Sequence, residues 1–113
     1  MTIREMQKEA HQNAREKGFW EGKDPVENLP QAIALMHSEL SEALEDVRNP
    51  NLDPRKMYFE DSGKPCGVPS EFADAVIRIM DNCEALGIDL HDAIEKKMAY
   101  NKTRPRMHGG KNF

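Results

Sequence analysis

Cysteine is nearly absent from this 113-residue chain: Cys66 and Cys83 are the only two, and they show no CxxC spacing. That excludes a disulfide framework and reads as two reduced thiols in a cytosolic protein, with Cys83 a small core residue on a helix. Aromatic residues are also few, at one Trp, two Tyr and four Phe, and strand-type alternation is scarce, so the apolar content leans towards helices. No apolar run is long enough to span a bilayer, and Met1 is followed by a charged amphipathic segment rather than a secretory h-region. The cytoplasm is therefore the expected location, with no membrane partner. Excess positive charge is lacking too: a net charge of -4 and a pI near 5.6 leave no electrostatic footprint for a nucleic-acid polymer, while a free nucleotide held through metal ions stays compatible. None of His11, His37, His91 or His108 has an acid three residues before it, which removes the Glu-x-x-His signature of a ferritin-like di-iron bundle.

What is present is one small domain, residues 1–113, whose single core is adequate but not generous, so that a partner subunit would be useful. Its most distinctive stretches are Glu39-Leu40-Ser41-Glu42 and Glu71-Phe72-Ala73-Asp74. Each sets two carboxylates three residues apart inside an apolar helical pattern, so each pair projects from one side of its helix. Four acids converge if those helices pack. Such a cluster persists when a cation offsets it, and a hard divalent ion prefers carboxylate oxygens. The competing reading is a solvated acidic face.

In chain order, Thr2-Ile3-Arg4-Glu5 has capping-box form, and Ile3, Met6, Ala10 and Ala14 continue a helix until Gly18. Phe19 and Trp20 then read as lids on the core, or as a platform for a nucleotide base. Asp24-Pro25 opens the strongest helix, to about Arg48, with Leu29, Ile33, Met36, Leu40, Ala43, Leu44 and Val47 as its apolar stripe. Glu39, Glu42 and Asp46 fall roughly 80–140° to one side of that stripe. Leu35 on the same side suggests that the carboxylates are covered. Residues 49–69 contain four prolines and two glycines and read as a long irregular loop, whose Arg55, Lys56 and Lys64 either bring positive charge to the acids or are ordinary surface charges.

A third helix is expected from about Ser70 to Leu86, ending at Gly87, with Phe72, Val76, Ile79, Met80, Cys83 and Leu86 on its inner side. Glu71 in its first turn also suits the helix dipole, a reading that fits Asp74 less well. A fourth starts behind Asp89, and its inward column of Leu90 and Ile94 continues into Lys97, Asn101 and Arg104. That change points to an anion at the inner end, or to a helix emerging into solvent. Pro105 ends it, and residues 105–113 form a basic tail whose His108 and Lys111 could close over phosphates.

Taken together, the two acidic tetrads with 28 residues between them, His37-Ser38-Glu39-Leu40-Ser41-Glu42-Ala43-Leu44, and Lys97-x-x-x-Asn101-x-x-Arg104 followed by His108-Gly109-Gly110-Lys111 resemble the MazG-like all-α nucleoside triphosphate pyrophosphohydrolases. The resemblance covers nearly the whole chain. It implies a compact four-helix bundle completed as a homodimer or homotetramer, and Mg²⁺, with Mn²⁺ as a substitute, bound by the catalytic carboxylates Glu39, Glu42, Glu71 and Asp74. It also implies hydrolysis of an NTP or dNTP to monophosphate and pyrophosphate, with Lys97, Asn101, Arg104, Trp20, His108 and Lys111 as substrate contacts. Ser38 stands where some relatives carry a further acid, which removes one ligand. A non-enzymatic acidic helical interaction module is the alternative from a different class.

Overall fold

Thr2 opens α1 (Ile3–Glu16) by closing the expected capping box: the Glu5 amide donates to the Thr2 hydroxyl at 3.1 Å and the Thr2 amide to the Glu5 carboxylate at 3.2 Å. In the computed structural model, residues 1–107 are described. Asp24 caps α2 (Pro25–Arg48), accepting from the Val26 and Glu27 amides, and Pro25 occupies the first turn, where no N–H is needed. Asp89 does the same for α4 (Leu90–Thr103) through the Asp92 amide. Gly87 ends α3 (Val68–Leu86) in the left-handed conformation, φ 72°.

The stretch 49–69, expected to be irregular throughout, holds a small antiparallel hairpin of β1 (Tyr58–Phe59) and β2 (Pro65–Cys66). The third helix also starts at Val68 rather than near Ser70. Pro69 lies in its first turn, so a proline that reads as a breaker is here part of a helix start. Gly67 makes the joint possible. Its φ is +100°, and a Cβ there would sit 3.0 Å from the Lys56 carbonyl oxygen.

The core is small and lies along α3. α2 and α1 both pack on α3, and the buried apolar residues are Ala32 and Ala43 of α2 with Val68, Ala75, Met80 and Cys83 of α3. Alanines at the contact let the two long helices approach closely. Gln7, buried on α1, ties this helix to the α3–α4 corner: its Nε2 donates to Glu84 Oε2 and to the Ile88 carbonyl at 2.7 Å, and its Oε1 accepts from the Leu90 amide. The neighbouring Met6, expected on the inner stripe, is exposed instead.

Two expectations fail for related reasons. Only part of the apolar stripe of α2 faces the core: Ala43 is buried and Leu29 and Met36 are half-buried, but Ile33, Leu40, Leu44 and Val47 are 44–55% exposed, because α2 turns towards α3 the strip between its apolar and acidic flanks. At about 100° per residue, these exposed residues lie on the side of α2 away from its acids, and Phe72 and Val76, also exposed, lie on the side of α3 away from Glu71 and Asp74. Nor does one chain close a compact four-helix bundle. α4 buries no residue and packs chiefly on α1, and the radius of gyration is 16.6 Å where a compact chain of this length has about 13 Å. The all-α class holds, with four helices and one two-stranded hairpin among the described residues. No helix among them is long and apolar enough to cross a membrane.

Candidate metal centre and adjoining cleft

Glu39 lies mid-way along α2 on the side turned to α3, and Glu71 and Asp74 occupy the first two turns of α3. One carboxylate oxygen from each lies within 4.8 Å of those of the other two. Arg78, one turn beyond Asp74, donates from Nε to Glu39 Oε1 at 2.9 Å, so one of the three acids already has a cation. Among the described residues neither Glu71 nor Asp74 has a salt-bridge partner. Burial pushes the Glu71 carboxyl up to about 7, helped by a hydrogen bond with Glu39 and by the charges of Asp74, Glu39 and Asp46. Asp74 is also raised, by burial first and by Glu39 next, with Arg78 and Lys64 opposing. Lys64 of the hairpin is thus within electrostatic reach of the group, whereas Arg55 folds onto Asp53 beside it at 3.0 Å.

Not every expected ligand joins. Glu42 is solvent-exposed and outside the group of three, since it lies about 60° further round α2 than Glu39. Asp46, seven residues after Glu39 and about 20° from it, is half-buried and close enough to perturb Glu71. That spacing is visible in the sequence. Lys97 and Asn101 are exposed and Arg104 half-buried; the two cations sit 5.7 and 5.9 Å from the Tyr100 ring of their own helix. Because α4 packs chiefly on α1, this column does not point into the bundle beside the acids of its own chain, as its apolar beginning suggests. His108 and Lys111 lie outside the described residues.

Trp20 lines a cleft of about 450 Å³ between α1, α2 and α3 together with Glu39 and Asp74 of the acidic group and with Asn13 and Gln31. Its indole N–H donates to Asp81 Oδ1 at 2.9 Å, the same oxygen lies 2.8 Å from His11 Nδ1, and the two rings meet edge-on at 5.4 Å. Phe19 also lines this cleft but is 64% exposed and is no lid on the core. Asp81 follows Asp74 by seven residues and so shares its flank, a signal present in the sequence. Asn82, turned inwards among apolar neighbours, carries none.

Compared with models of known protein families, with characterised protein sequences and with solved structures, the chain matches none of them. What the centre can do follows from its donors. Three carboxylates without nitrogen or sulfur suit a hard divalent ion. Mg²⁺ ligated at about 2.0–2.1 Å sets neighbouring oxygens about 2.9 Å apart and opposite ones about 4.2 Å apart, so the three carboxylates, now within 4.8 Å, would draw together around it. The residues fit such an ion.

The Glu71 carboxyl fixes the expected pH behaviour of the metal-free protein. With its titration raised from 4.5 to about 7, the stability it contributes is complete below about pH 4.5 and is lost as pH rises through about 7. The melting temperature in chelator should fall between about pH 5 and pH 8, and Glu71→Gln should flatten that fall. A wild-type profile that rises over this range, or an unchanged slope in the variant, contradicts the assignment.

Proposed function

We propose that this chain is a metal-dependent hydrolase that converts a nucleoside triphosphate, NTP or dNTP, to the monophosphate and pyrophosphate. The single observation that carries the reading is that two members of the three-carboxylate group, Glu39 and Asp74, line a cleft of about 450 Å³ together with Trp20, whose indole is held by Asp81. Glu39, Glu71 and Asp74 would hold Mg²⁺ or Mn²⁺, and Glu42 completes the set from the solvent side. A bound divalent ion supplies neutralisation of the phosphate oxygens and a more acidic water. Asp81 holds Trp20 so that the indole presents its face to a base. Arg78 and Lys64 offer positive charge to the phosphates, and a carboxylate of the group takes the proton of the water that attacks the α-phosphorus.

Assembly belongs to the same reading. Six half-exposed apolar side chains, Ile33, Leu40, Leu44 and Val47 of α2 and Phe72 and Val76 of α3, lie on the sides of their helices away from the acids. Covering them contributes roughly 1 kcal/mol each, hence on the order of 10 kcal/mol over two copies, comparable with the ~4–15 kcal/mol that association costs. A homodimer or homotetramer built on these side chains completes the bundle that one chain leaves open. In it Lys97, Asn101 and Arg104 reach phosphate across a subunit boundary. The Arg78–Glu39 ion pair favours a second reading, an acidic helical interaction module with no chemistry.

A product assay with Mg²⁺ across the canonical nucleotides separates the two. Monophosphate and pyrophosphate are expected in equal amounts; diphosphate with orthophosphate as the main products overturns the reaction type, and no turnover at all supports the interaction module. Asp74→Asn and Glu42→Gln should each lower turnover on the order of 100-fold while the helical circular dichroism is kept. For the assembly, sedimentation should give a multiple of 12.9 kDa, and Leu40→Glu should release monomers. A monomeric wild type at micromolar concentration counts against this assembly.

A further inference from the structure

Among the described residues, Asn82 is left with a buried acceptor and nothing to accept from, and the neighbouring Asp81 with a carboxylate oxygen that no protein group donates to. Asn82 is 7% exposed, and its Nδ2 donates to the Arg78 carbonyl at 2.9 Å, which fixes the amide so that Oδ1 is the free atom. That oxygen is buried and has no hydrogen-bond partner. Asp81 uses Oδ1 for both Trp20 and His11, and among the described residues Oδ2 has no protein donor. Both residues line the cleft. A buried acceptor without a partner is uncommon in folded proteins, and it is expected where a ligand supplies the missing donor.

We infer that Asp81 and Asn82 form an acceptor wall that selects nucleobases carrying an exocyclic amino group over those carrying a carbonyl at the same position. This rests on the nucleotide reading of the cleft but not on the hydrolysis. An ionised carboxylate has no hydrogen to donate, and the Oδ1 of a fixed amide has none either. The 4-amino group of cytosine or the 6-amino group of adenine offers N–H groups to this wall. The 4-oxo group of uracil or the 6-oxo group of hypoxanthine presents a second acceptor and meets repulsion. The amides of Asn13, Asn28 and Gln31 can turn either face to a ligand, so discrimination falls on Asp81 and Asn82. A site built to hydrogen-bond one group rejects the analogue that lacks it more strongly than a purely apolar pocket does.

Trp20 is the only tryptophan, so its fluorescence reports this cleft directly. The full chain in chelator is titrated with dCMP against dUMP and with dAMP against dIMP. The amino member of each pair should bind about tenfold tighter or better. Asn82→Leu, which keeps the branched shape and number of heavy atoms and removes the unpaired acceptor, should bring both ratios towards one while the helical circular dichroism is kept. Equal binding within the pairs, no fluorescence response to any of the four, or ratios unchanged in Asn82→Leu overturns the inference. Retained amino preference in a protein that releases no pyrophosphate sinks the hydrolase reading and leaves this one standing.

Discussion

Three carboxylates held between two packed helices repel one another and are partly stripped of water, and the α2–α3 pair is arranged around that unfavourable group. Without it, α2 would be expected to turn its leucine stripe inwards. Instead the contact is made by Ala32 and Ala43, which contribute little apolar area but bring Glu39 against the first turns of α3. Arg78 offsets one charge and a proton near neutral pH offsets another, so the metal-free arrangement persists by partial neutralisation. A site that is destabilising when empty and satisfied by a ligand is a common conflict between function and stability.

The same choice explains the rest of the architecture. Acids on one flank of α2 push its apolar residues to the other flank, where a single chain has nothing to cover them. α4, packed chiefly on α1, leaves its basic column away from the acids of its own chain. The exposed side of α2 and the displaced column are both features of the single chain, and the assembly proposed above would address both.

Much of this was legible in the residues. Capping chemistry placed the starts of α1, α2 and α4 and the end of α3, because Thr2, Asp24, Asp89 and Gly87 act locally. Convergence of Glu39, Glu71 and Asp74 followed from period and spacing. What failed depended on tertiary phase: periodicity says which residues of α2 share a side but not which side meets α3, so Leu40 and Leu44 were expected inside and Glu42 beside Glu39. The start of α3 was missed because Val68-Pro69 reads as a breaker until Gly67 supplies a joint with positive φ. Asn82 gave no warning, since an amide beside Asp81 in a helix of mixed polarity looks like an ordinary surface residue.

Binding of Mn²⁺, followed by the loss of its free electron paramagnetic resonance signal as protein is added, tests the central claim most directly. A saturable, stoichiometric site is predicted for the wild-type chain, lost when Glu71→Gln and Asp74→Asn are combined in a protein that keeps its helical content. Weak, unsaturable uptake of equal strength in both proteins, as an ordinary acidic surface gives, would contradict the account.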